Sequence, residues 1–281
     1  MLNKLTNRVY YMPYRDEGCR PSLGLVIGDK YSLVVDAGNS IEHTNEFLEE
    51  IKSINHTPIK YLAITHWHWD HVAGISIIDV DTICHKRTNE KIEEVKNILS
   101  GGTPKLKDAK ILGRELYSTS TKLKVQMNKG LEIRGGNIEF TEKVKVDLGG
   151  ISCIIENIEG DHADDSSLIY VTDEKVMFLG DSTYRNLNTD ERSYSREKLY
   201  PLIEKILSYD TEYYLTAHKP YYTKESMKEY FDMLTFIGDT IGDSLDLERA
   251  LSTYKKKVNR EIDSEERMYV ESFVNGNKKL K

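Results

Sequence analysis

The run Thr65-His66-Trp67-His68-Trp69-Asp70-His71 constrains this chain more than any other stretch. Three imidazoles and a carboxylate packed this tightly are ligand chemistry for a divalent metal such as zinc. Residues 60–65, KYLAIT, read as a short apolar strand, and Val72-Ala73-Gly74 read as the start of a helix. The cluster therefore falls where a strand ends. On a continuing strand His66, His68 and Asp70 share one face. The turn after Asp70 brings His71 back around the same centre, or around a second one nearby.

The same arrangement recurs along the chain. Residues 22–38 form a hairpin pattern of two apolar runs around Gly28-Asp29-Lys30, and the second run ends on Asp36. An Asp in that place serves equally well as a turn or cap residue. The loop Asp161-His162-Ala163-Asp164-Asp165-Ser166 supplies His162, the strand at 175–180 runs into Asp181, and the strand at 212–218 ends on His218. Between these lie helical periods: 41–54 through Phe47, Leu48, Ile51 and Ile54, and a further helix at 196–207. His43 and His56 read as solvated, and His85, at the end of a strand over 81–85, stays outside the set. Residues 86–123 hold two helical candidates, 88–99 and 108–117, split by Gly101-Gly102-Thr103-Pro104-Lys105. This insertion reads as a flap over the site or a cover for the sheet. A second β-rich half is expected from Val125. From Lys224 the pattern is helical: Met227, Phe231, Leu234, Ile237 and Ile241 form an apolar stripe for a sheet or a partner, and Met268, Tyr269 and Phe273 dock a final helix. Residues 251–267 are strongly charged with both signs and read as a solvated helix or hinge. The chain is thus of α/β class, with two sheets face to face and helices outside.

Composition limits the partners. With 281 residues there is ample material for a core, and the formal net charge of −7 argues against a nucleic-acid surface. No apolar leader opens the sequence and no run is long enough to span a bilayer, so no membrane partner and a cytoplasmic location are expected. Cys19, Cys84 and Cys153 lack C-x-x-C spacing and read as reduced thiols. The expected partner is a small-molecule substrate, and the stripe from Met227 to Ile241 leaves a homo-oligomer open.

His-x-His-x-Asp-His resembles the signature of the metallo-β-lactamase superfamily. The stations of that family are filled in order from about residue 22 to 219: Asp36, the His66–His71 motif, His162, Asp181 and His218. The resemblance implies an αββα four-layer sandwich over 1–222, with the helical insertion at about 86–123 and a helical C-terminal extension over 223–281. It implies two metal ions, zinc by preference, although iron or manganese accept the same ligands. His66, His68 and His162 would hold one, Asp70, His71 and His218 the other, and Asp181 would bridge them. Asp36 would brace the metal loop from behind. A bridging hydroxide oriented by Asp70 would attack the substrate. Asp181 stands where β-lactamases of this fold commonly carry Cys or Ser, so β-lactam hydrolysis is not expected. His68 stands where the similar di-iron flavoproteins carry a carboxylate. What remains resembles the glyoxalase II and lactonase branch: hydrolysis of a small ester, thioester or lactone. The alternatives are a mononuclear iron oxidoreductase of the persulfide dioxygenase type, and a non-catalytic metal-binding module.

Some residues depart from the family pattern. Asp161, Asp164 and Asp165 cap their own loop or form an acidic pocket rim that disfavours anions. Lys219 replaces a common glycine, Trp67 and Trp69 pack beneath the loop or wall the pocket, and Tyr184, Tyr221 and Tyr222 are candidates for substrate hydrogen bonds.

Overall fold

In the computed structural model, which describes residues 1–187 and 191–280, two mixed β-sheets stack face to face. The first runs in chain order: β1 (Asn3–Lys4), β2 (Val9–Met12), β3 (Leu23–Ile27), β4 (Ser32–Val35), β5 (Ile59–Ala63), β6 (Asp81–His85) and β7 (Ile138–Phe140). The second comprises β8 (Lys143–Asp147), β9 (Ser152–Asn157), β10 (Ser167–Val171), β11 (Val176–Gly180), β12 (Tyr213–Thr216) and β13 (Tyr222–Thr223), again in chain order across the sheet. Strands β4 to β7 are parallel, as are β11 and β12, and the helices between them supply the crossovers.

Strand alternation explains the layers. Val9, Val26, Leu33, Val35 and Ile83 of the first sheet face Val146, Ile155, Ile169, Val171 and Phe178 of the second. The alternate residues Leu25, Val34 and Leu62 turn outward onto Phe47, Ile51, Ile92 and Val95. These belong to helices α1 (Ile41–Lys52) and α3 (Lys86–Ser100). Residues i and i+1 of one strand thus feed different cores, which requires both to be apolar. Gly24 marks how closely the sheets approach: a Cβ there would stand 2.4 Å from the Phe178 ring.

The motif folds into the short helix α2 (Trp69–Val72) and a 3₁₀ turn over Ala73–Ser76. The insertion continues through α4 (Ala109–Leu112) and α5 (Arg114–Met127), separated by Gly113 at φ +80°. Here the expected strand start at Val125 is corrected. Leu116, Ser120 and Leu123 bury one face of α5 and carry the helix past Val125, which is exposed on its other side. The second sheet begins only at Lys143. His43 is corrected too. The first turn of α1, capped by Ser40 Oγ on His43 N at 3.2 Å, packs under the Gly38 loop and buries the ring, and that burial lowers its pKa to about 4.

On the other side, α6 (Arg196–Leu207), α7 (Lys224–Ile241), α8 (Leu247–Val258) and α9 (Ser264–Lys279) cover the second sheet. The stripe Met227, Phe231, Leu234, Ile237 and Ile241 is buried within the chain against Tyr194, Tyr254 and Phe273. Among the described residues no helix is long and apolar enough to cross a membrane.

Candidate metal centre

Every candidate site residue, the seven ligands and Asp36 behind them, stands beyond the carboxyl end of a strand, on one edge of the sandwich. Asp36 follows β4, His66 to His71 follow β5, His162 follows β9, Asp181 follows β11 and His218 follows β12. Three contacts tie the two sheets together at this edge: Ser167 N donates to Thr65 O at 2.8 Å, Ser22 N to Ala217 O at 2.7 Å, and Trp67 N to Asp165 Oδ2 at 2.9 Å.

Two donor sets converge there. In the first, His68 Nδ1 lies 2.9 Å from His66 Nε2 and 3.0 Å from His162 Nε2. Ligands about 2.0–2.1 Å from a tetrahedral zinc stand about 3.3 Å apart, so this spacing fits a shared ion. The second set is Asp70, His71, Asp181 and His218, whose donor atoms all lie within 4.8 Å of one another. Asp181 Oδ2 sits between the sets, 3.3 Å from His162 Nε2, 3.6 Å from His218 Nε2 and 3.8 Å from His71 Nε2. His71 Nε2 and Asp181 Oδ1, both at the second set, are buried without a hydrogen-bond partner among the described residues. Buried polar atoms are rarely left so, and two at one donor set suit a bound cation.

The electrostatics agree. Burial, reinforced by the neighbouring rings, lowers His66 well below its usual value, and burial brings His162 to about 4, so both are neutral ligands. Burial opposes ionisation of Asp70 and Asp181, but the histidines beside them prevail and lower both. At His68, His71 and His218 burial is outweighed by carboxylates (Glu115; Asp36 and Asp70; Asp181 and Asp70), which raise all three. The pocket around these rings favours added positive charge.

Asp36 holds the assembly from behind. It adopts φ +60°, which Asp tolerates better than most residues, and so turns its carboxylate back under the motif. Oδ2 accepts from His71 Nδ1 at 2.7 Å, which leaves Nε2 facing the second set. Thr65 donates to the same carboxylate from N at 2.8 Å and from Oγ1. Gly180, at φ +53°, lets β11 pass Thr65 on its way into Asp181; a Cβ there would stand 2.6 Å from Thr65 Oγ1.

A cavity of about 620 Å³ opens beside both donor sets, with Trp69, Tyr184 and Lys219 on its walls. Tyr184 Oη accepts from His218 N at 3.1 Å, whereas Tyr221, packed on Tyr11, and Tyr222, stacked on the lining residue Tyr230, stand outside the lining. Trp67 is buried beneath the loop. The acidic rim is not formed. Asp165 accepts from Thr88 Oγ1 at 2.7 Å, Asp161 accepts from Ser195 N at 2.9 Å, and exposed Asp164 pairs with Lys198 at 2.9 Å. The three carboxylates shape their loop instead. Sequence reasoning missed Thr65, Glu115 and the cavity's arginines Arg114, Arg185 and Arg192. Glu115, from the insertion, brings Oε2 to 3.9 Å from His68 Nε2, a pairing with no trace in sequence spacing. Thr65, directly before the motif, had a signal in its position.

The family model of the metallo-beta-lactamase superfamily matches residues 17–218. No curated protein matches the chain. Solved structures are similar at the level of fold. A metallo-beta-lactamase from Pontibacter korlensis superposes with a TM-score of 0.58 at 16% identity, covering 83% of this chain and 97% of its own. The stereoselective inverting sec-alkylsulfatase Pisa1 from Pseudomonas sp. gives 0.68 at 16% identity, covering 99% of this chain but 50% of its own. The DIM-1 metallo-beta-lactamase gives 0.56 at 16% identity, covering 83% and 95%. With the family match spanning most of the sequence and the motif's side chains gathered at one sheet edge, the chain belongs to the metallo-beta-lactamase superfamily.

Proposed function

We propose that the chain is a metal-dependent hydrolase of a small ester, thioester or lactone, with one divalent ion on each donor set and zinc as the expected metal. One observation carries this reading: two donor sets, both largely buried, meet at the single oxygen Asp181 Oδ2 and open onto a cavity of substrate size. Ions bound there would supply an activated water and polarise the scissile carbonyl.

The chain's own residues do the rest. His66, His68 and His162 present ring nitrogens from three points on two loops, so their geometry is set by the sandwich rather than by local chain. Asp70 Oδ2, 3.1 Å from His218 Nε2 and held ionised by the neighbouring histidines, is placed to take a proton and return it to a leaving group. Asp36 keeps the His71 ring in one tautomer. Trp69 and Tyr184 wall the cavity beside the reacting bond and limit water.

Elemental analysis of protein purified without metal supplementation tests the reading, followed by a screen of thioesters, lactones and simple esters. We expect two zinc ions per chain, as in two-metal hydrolytic sites, and turnover lost in His66→Ala and His218→Ala together with their zinc. A single iron per chain with oxygen uptake on a persulfide would replace this reading with the oxidoreductase. Absence of metal even after reconstitution would remove both.

A further inference from the structure

The cavity beside the histidines carries cations that the hydrolytic centre does not use. Arg185 lies half-buried in the loop after Asp181, with Nη1 donating to the neutral Ser272 hydroxyl at 3.4 Å. Arg192 stands exposed at the mouth, before α6, and Arg114 reaches the same cavity from the first turn of α5. The guanidinium groups are close enough that, after burial, Arg185 and Arg114 are the causes that weaken the basicity of Arg192. Of the cavity's carboxylates among the described residues, Asp70 and Asp181 face the histidines and Glu115 faces His68, while Asp16 stands exposed on the lining. Lys219 is held by Glu265 at 3.3 Å.

Like charges gathered on a partly desolvated wall repel one another, and an anion between them relieves that cost. The cavity as a whole is of mixed sign, with Asp16, Asp70, Glu115 and Asp181 beside the cations, so an anion is held by direct contact with the arginines rather than by net charge. Leu187, Tyr194, Met268 and Tyr269 line the same cavity and offer apolar contact to the body of a ligand.

We propose that this wall is an anion subsite: the substrate carries, away from the bond to be cleaved, a carboxylate, sulfo or phosphoryl group bound by Arg185 and Arg192. The assignment rests on the hydrolase reading of the adjoining centre and narrows its substrate to small anionic molecules with an apolar body. It reverses the expectation of an acidic rim that repels anions.

Calorimetric titration of the zinc-loaded protein with glutarate, inorganic sulfate and uncharged glutaramide tests the subsite. At least one anion is expected to bind saturably, glutaramide is not, and Arg192→Gln and Arg185→Gln should each weaken that anion about tenfold or more. Tight glutarate identifies a carboxylate; tight sulfate identifies a tetrahedral anion. If Arg185→Gln unfolds by losing its bond to Ser272, the exposed Arg192→Gln carries the test. Equal binding of glutaramide, or no saturable anion, overturns the proposal. So does anion binding that disappears with zinc and ignores both arginine variants. The two readings fail separately. Arginine-dependent anion binding without hydrolysis retains the subsite and removes the hydrolase, whereas turnover of neutral esters without anion binding does the reverse.

Discussion

Asp36 shows how much a single residue decides at this site. It has an unfavourable backbone angle and accepts three hydrogen bonds, and one of them selects the tautomer of His71. An amide in its place offers the His71 ring a donor as readily as an acceptor, so Nε2 loses its fixed lone pair. Asp36→Asn should therefore weaken metal binding about 10- to 100-fold, the usual cost of removing a partner behind a metal-bound imidazole. Competition against a chelator measures it, and an unchanged affinity would deny Asp36 this role. That this aspartate matters was legible from the motif it accompanies. That it reaches His71 and Thr65 together was not, because both contacts depend on the parallel pairing of β4 with β5.

Among the elements, α9 links the C-terminal helices to the cavity through Met268 and Tyr269. Its first turn is clamped at Glu266, a buried carboxylate that accepts from Arg260 Nη1 and Nη2 at 2.7 Å and from Tyr254 Oη at 2.8 Å. Arg260 first, against burial and with help from Tyr254, lowers the Glu266 pKa from 4.5 to about 2. A depressed carboxylate stabilises the fold above its unfolded value and loses that contribution as pH falls from about 4.5 toward 2. Glu266→Gln should cost about 1–3 kcal/mol near neutrality, and the difference in Tm from the parent should shrink as the pH is lowered through that window. A gap that stays constant with pH would mean the clamp works through packing alone. The periodicity of α6 and α7 was plain in the sequence, because each buries one continuous apolar stripe in the same core. The end of α5 was not: Val125 favours a strand locally, and the burial of Leu116 and Leu123 overrules it.

At the scale of the whole molecule, each donor set takes residues from both sheets: His66, His68, Asp70 and His71 from the first, and His162, Asp181 and His218 from the second. An ion bound to either set therefore holds the two halves together, and binds the folded chain far better than the unfolded one. Chelated protein should melt several degrees below zinc-loaded protein, since saturation at about 100 times Kd contributes about 2.7 kcal/mol. Identical melting with and without zinc in scanning calorimetry would show that the centre does not bridge the halves. The α/β class, the apolar strands and the seven candidate ligands were legible in the amino-acid order, because a strand's period and an imidazole's chemistry are local properties. Packing alone sets which nitrogens face each other, that Asp181 lies between the sets, that the loop acids turn away from the cavity and that the arginines line it. Those outcomes depend on residues far apart in the chain meeting at one edge of two packed sheets, a meeting set by burial on both faces of each strand.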